Sequence, residues 1–107
     1  MSCEKHHSPN LQMQLAKELP EVMQGFMQLH GAVIKDGVLS AKQKELIAVG
    51  IAVAVRCSYC IAHHVKQARA LGASRQEILE AASVAMLMGG GPAVAYSTEV
   101  LKLLGEE

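Results

Sequence analysis

The sequence is nearly devoid of aromatic residues: 107 residues include no tryptophan, one phenylalanine and two tyrosines. That scarcity removes the flat surfaces on which nucleic-acid bases stack. Net charge is missing as well, since ten basic residues balance ten acidic ones. No field therefore draws the chain to nucleic acid or to an anionic membrane surface. The longest apolar run, Leu46 to Val55, is about half the roughly twenty residues that a bilayer span needs. It reads as a buried helix, and no membrane association is expected. The opening residues, MSCEKHHSPN, lack the apolar core of a signal peptide, so the expected location is cytoplasmic. No stretch shows sustained period-two alternation, which argues against strands.

What is present is aliphatic. Half of the chain is hydrophobic, and Ala, Val, Leu, Ile and Met supply nearly all of it, a composition suited to close-packed helices. The fold expected is all-α, one domain over residues 1–107 with about six helices, residues 1–9 forming a flexible arm. A short helix is expected from Asn10 to Glu18. Pro20 suits the first turn of a second helix, which carries Val22, Met23, Phe26, Met27 and Val33 or Ile34 at helical spacing and ends at Asp36-Gly37. Ser40 to Gln43 is a capping-box pattern opening a third helix through the apolar run. That helix, apolar all round, belongs at the centre of the fold. Gly50 in its middle costs about 1 kcal/mol against alanine, which close approach of a neighbouring helix would offset. A fourth helix is expected from Ser58 or Tyr59 to Leu71, with Ser58 as N-cap and Gly72 as C-cap. Ser74 to Glu77 is a second capping box, starting a helix that reaches Met88. The run Gly89-Gly90-Gly91-Pro92 then breaks it and begins the last. Because so small a domain has limited interior, its broad apolar faces (Ile47, Ile51 and Val55; Ile78, Val84 and Leu87) point to a homo-oligomer.

The chemistry is concentrated in one segment: Glu45, eleven residues, then Cys57-Ser58-Tyr59-Cys60-Ile61-Ala62-His63-His64. Two cysteines separated by two residues close a small disulfide ring with little backbone movement, so the pair can cycle. At a helix N-terminus the backbone N–H groups and the helix dipole favour a thiolate. His64 follows Cys60 by four positions and shares its helical face, where an imidazole can take or return a thiol proton. Glu45 reads either as an exposed first-turn acid that complements the helix dipole or as a charge beside apolar sequence that is costly without a partner. Antiparallel packing of the two helices would bring it to His64, directly or through a water. Tyr59 is an auxiliary candidate, either as a hydrogen-bond donor to sulfur or substrate or as an apolar plug.

The same residues admit a bland reading. Cys57, Cys60 and His64 are three possible zinc ligands, and Cys3 or His6 could add a fourth, giving a non-enzymatic zinc-binding helical module. A buried glutamate is superfluous in such a site. His63 lies about 100° around the helix from His64 and suggests a surface or packing role. His7 and His30 carry no usable pattern.

The combined pattern, a glutamate and then C-x-x-C-x-x-x-H, resembles the alkylhydroperoxidase D family within the carboxymuconolactone decarboxylase-like superfamily. The likeness covers roughly residues 20–105 and is strongest from Glu45 to Leu87. It implies a compact helical subunit with the cysteines at a helix N-terminus, assembled as trimers or hexamers. It implies antioxidant peroxidase or disulfide-reductase activity without metal or other cofactor. Cys60 would attack the peroxide, Cys57 would resolve the sulfenic acid as a disulfide, and His64 and Glu45 would relay protons. An external dithiol, lipoamide-like or thioredoxin-like, would reduce the bridge. Dipole reasoning alone favours the first cysteine as the more acidic; the adjacent His64 is what favours Cys60. Family members with good peroxidase activity often carry a histidine between the cysteines, where this chain has Tyr59.

Overall fold

The computed structural model describes residues 9–105. Among them there are six helices and no strand, as an aliphatic chain without period-two patterning should give. The chain divides into two compact units, one ending at Asp36 and the other beginning at Gly37.

The first unit holds α1 (Pro9–Glu18) and α2 (Pro20–Ile34). Helix α1 starts one residue before the expected Asn10; the rest of the expected arm, residues 1–8 with Cys3, His6 and His7, lies outside the described residues. Pro20 takes the first position of α2, where its missing N–H would have had no partner anyway. Val22, Phe26, Met27 and Val33 do fall at helical spacing, yet α2 contains no buried residue and all four are exposed. Periodicity picks out the apolar face, and among the described residues that face stays exposed.

The second unit consists of α3 (Ala41–Ala54), α4 (Ser58–Ala70), α5 (Arg75–Gly89) and α6 (Gly91–Leu104). Both expected capping boxes are formed, Ser40 with Gln43 and Ser74 with Glu77. Glu77 also takes Lys42 Nζ at 3.1 Å, tying the starts of α3 and α5 together. Helix α3 packs on α4, α5 and α6 and so is central. Val49, Val53, Ile61, Ile78 and Val100 are fully buried, and Ala52, Ala68, Ala82 and Ala85 fill the narrow spaces between helices. Gly50 marks the tightest approach: a Cβ there would stand 3.2 Å from the carbonyl oxygen of Ala81 on α5. The reading of α3 as a buried helix holds for its inner side only. Ile47, Ile51 and Val55 remain exposed, and Ile47 and Ile51 flank a groove of about 680 Å³ with Val84 and Met88 of α5.

Two helix ends share one design. At the end of α4, Gly72 has φ of 91°; its N–H bonds to Arg69 O, and Ala73 N–H to Ala68 O. These are the paired bonds of a Schellman motif, which needs a left-handed residue and usually takes glycine. At the end of α3 the same two bonds run from Arg56 N–H to Val53 O and from Cys57 N–H to Ala52 O. There the left-handed residue is Arg56, with φ of 58°, a conformation that costs a side-chain-bearing residue about 1 kcal/mol or more. The chain accepts this cost one residue before its first motif cysteine.

Candidate active site

The turn after α3 determines how the cysteines are presented. Cys57 both completes the α3 terminus and occupies the N-cap of α4; Ser58, expected in that role, is instead the first helical residue. Every polar group of Cys57 is engaged. Its N–H bonds to Ala52 O, its carbonyl accepts Ile61 N–H at 2.9 Å, and its Sγ accepts Cys60 N–H at 3.2 Å. A sulfur therefore does what a serine or aspartate oxygen usually does at an N-cap.

Cys60 stands one turn into α4, partly buried against the core. Its thiol is pushed up to about 11, first by burial, then by the hydrogen bond it shares with the Cys57 side chain and by the charge of Cys57; a backbone hydrogen bond opposes these. Both thiols are free and neither is fully buried.

The other half of the site crosses from α3 to α4. Glu45 is only 1% exposed, and its Oε1 lies 2.6 Å from Nδ1 of His64. The short connection folds α4 back along α3, which brings residues nineteen apart in sequence into contact. An ionised carboxylate can only accept, so Nδ1 carries the hydrogen. With Nδ1 donating, Nε2 is the nitrogen that can exchange a proton with a neighbouring group. His64 remains about a fifth exposed, one turn along from Cys60 on the same face of α4. A buried carboxylate that fixes the tautomer and tilt of a histidine is the arrangement by which an imidazole becomes a competent base. Ser97, the other buried polar residue, donates to Ala93 O within α6 and has no part in the site.

Tyr59 extends the site sideways. Its ring lies nearly parallel to that of His63, at 3° and 6.4 Å between centroids, and His63 meets His64 edge-on at 4.9 Å. The packing role expected for His63 thus has a definite form: it links Tyr59 to the ring held by Glu45. Tyr59 and His63 are four residues apart and share a face of α4, whereas His63 and His64 are consecutive, diverge around the helix and meet only because both carry rings. The zinc reading gains no support from the geometry. Among the described residues no three His, Cys, Asp or Glu side chains converge to hold a metal ion; Cys3 and His6 lie outside the described residues.

Comparison with known proteins gives a consistent result. Residues 20–103 match the carboxymuconolactone decarboxylase family. The chain is 42% identical over 81 residues to an uncharacterized protein of the cox locus of Paracoccus denitrificans, covering 76% of this chain and 73% of that one. The crystal structure of the apo form of a carboxymuconolactone decarboxylase family protein from Legionella pneumophila superposes with a TM-score of 0.84 at 43% identity, covering 92% and 91% of the two chains. A family protein from Thermotoga maritima, for which involvement in an antioxidative response has been suggested, superposes with a TM-score of 0.72 at 32% identity, covering 77% and 84%.

Proposed function

The chain belongs to the carboxymuconolactone decarboxylase family, and from that membership and its site we propose that it is a thiol oxidoreductase of the alkylhydroperoxidase D type. The supporting observation is the buried Glu45 carboxylate bonded to His64, on the helix that also carries the Cys57–Cys60 pair. A structural role for the cysteines would leave that buried charge without a purpose, and burying a charge is costly. The substrate is a hydroperoxide or a disulfide. With a hydroperoxide, the two thiols supply two electrons: the O–O bond breaks, alcohol and water leave, and an S–S bond joins Cys57 to Cys60. A dithiol of the lipoamide or thioredoxin kind then reduces the bridge, in a cytoplasmic setting that keeps such donors reduced. The suggested antioxidative role of the Thermotoga maritima relative supports the hydroperoxide. The exposed apolar faces of α2 and of α3 support assembly with further copies of the chain, as a trimer or hexamer.

The test is intact mass under non-reducing conditions, on metal-free reduced protein before and after a slight excess of cumene hydroperoxide. Loss of about two mass units, mapped to a Cys57–Cys60 bridge and reversed by a dithiol, is the expected result. Unchanged mass would end the proposal.

A further inference from the structure

Arg56 stands one residue before the cysteine pair, in a left-handed backbone conformation that glycine would adopt at lower cost. We propose that Arg56 is a specificity-determining residue, selecting oxidants that carry a carboxylate beside the bond they exchange with the cysteines, an assignment that rests on the redox reading above.

The chain contains its own comparison. The ends of α3 and α4 close with the same pair of backbone bonds around one left-handed residue. At the end of α4 that residue is Gly72; at the end of α3 it is Arg56. The same bonds form with either, so the turn itself requires no side chain. Asparagine, the usual alternative to glycine at this position, would be cheaper and carries no charge. Side-chain-bearing residues in this conformation gather at functional sites, where the strain is kept for what the side chain does.

The charge of Arg56 is also not used inside the chain. Lys42 pairs with Glu77 and Arg75 donates to Gly105 O. Arg56 is exposed, and its guanidinium has neither a hydrogen bond nor an ion pair among the described residues. A guanidinium presents a planar fork of donors that matches a carboxylate. Neighbouring Cα atoms are about 3.8 Å apart, and the long arginine stem lets that fork reach a molecule seated at Cys57. Physiological salt screens a charge over roughly 8 Å, so the attraction persists at such range. The other charge of the site is negative: Glu45 brings a buried carboxylate, and an ionised cysteine adds to it during reaction. An anionic oxidant meets repulsion there unless a cation offsets it, and Arg56 places that cation next to the reacting pair.

The experiment uses full-length protein in a Cys3→Ser background, with Arg56→Gly and Arg56→Lys. Reduced protein is mixed with dithiobis(nitrobenzoate), a disulfide bearing two carboxylates, and separately with neutral dithiodipyridine. Each probe takes two electrons from the cysteine pair: its S–S bond breaks, the Cys57–Cys60 bond forms, and two thiols leave with the two cysteine protons. Their colour gives the rates, and the ratio of rates cancels any effect of the substitution on the cysteines, which both probes share. Arg56→Gly is expected to lower the anionic-to-neutral ratio about fivefold, the effect of one exposed charge pair, and Arg56→Lys to keep most of it. Arg56→Gly is also expected to unfold at a higher urea concentration than the parent, since glycine suits the left-handed turn. A ratio unchanged in Arg56→Gly, or lost equally in Arg56→Lys, overturns the inference while leaving the redox pair intact. Earlier unfolding of Arg56→Gly overturns it too, because the arginine then serves the fold. No Cys57–Cys60 bridge in the parent after cumene hydroperoxide overturns the redox reading and the inference with it.

Discussion

Replacing Glu45 by glutamine tests the site at its most enclosed point. The side chain keeps its shape, and its amide oxygen can still accept from His64 Nδ1, but the charge is gone. A hydrogen bond to a charged group contributes about 1.5–3 kcal/mol net and a neutral one about 0.5–1.5. With Glu45 1% exposed and the contact at 2.6 Å, solvent screens little of the difference, and the substitution should remove about 1–2 kcal/mol of stability. If the same energy is expressed in the bridge-closing step, closure slows by roughly five- to thirtyfold, since 1.4 kcal/mol is a factor of ten. Urea unfolding of the reduced protein, followed by circular dichroism, reads the first effect. Rapid quenching with an alkylating agent, after a peroxide pulse, reads the second by mass. Glu45→Leu separates them: an apolar residue of similar volume avoids burying a charge, so stability should recover in part while closure stays slow. If Glu45→Gln unfolds and closes as the parent does, the carboxylate is a passive occupant of the core and the proton relay is refuted.

Two further outcomes follow from the same coordinates. The Cys60 thiol, raised from 9.0 to about 11, is protonated in the native state where the unfolded chain has already lost its proton. The resulting stability is fully present below pH 9 and is lost as pH rises through 11. Reduced parent protein should therefore lose more stability than Cys60→Ser between these limits in urea titrations, and parallel curves would contradict the assignment. The uncovered apolar residues of α2 predict self-association, so light scattering at micromolar concentration should give a multiple of 11.4 kDa. A monomer mass, with Phe26→Ser behaving identically, would dismiss the assembly.

Much of the fold could be read in advance because its punctuation is chemical. Ser40 with Gln43, Ser74 with Glu77, Pro20, Gly72 and Pro92 each do at a helix end what their side chains or backbone freedom allow, and they set the boundaries of the helices. Gly50 hinted at a close approach, and the carbonyl of Ala81 supplies it. The pairing of Glu45 with His64 was readable as a possibility only: the register between two helices depends on how the turn folds, and that turn depends on Arg56 in the left-handed region. Nothing in an arginine announces that conformation. Sulfur is a weak acceptor beside a hydroxyl, so the sequence favours Ser58 as the N-cap where the structure has Cys57. The faces of α2 and α3 exposed the remaining limit. Apolar spacing shows that a helix has a side needing cover, not which surface will cover it.

The sulfur cap at the head of α4 also bears on the electrochemistry of the pair. Closing a bridge to Cys60 turns Cys57 from a potential thiolate into a neutral disulfide sulfur, a poorer acceptor for the N–H that now points at it. Whatever that contact contributes to the reduced protein is forfeited on oxidation. The reduction potential rises accordingly, by about 30 mV for each 1.4 kcal/mol. On the proposed redox cycle, the same cap would leave the oxidised pair readily reopened by a dithiol, the property that distinguishes a bridge meant to turn over from one meant to hold a fold together.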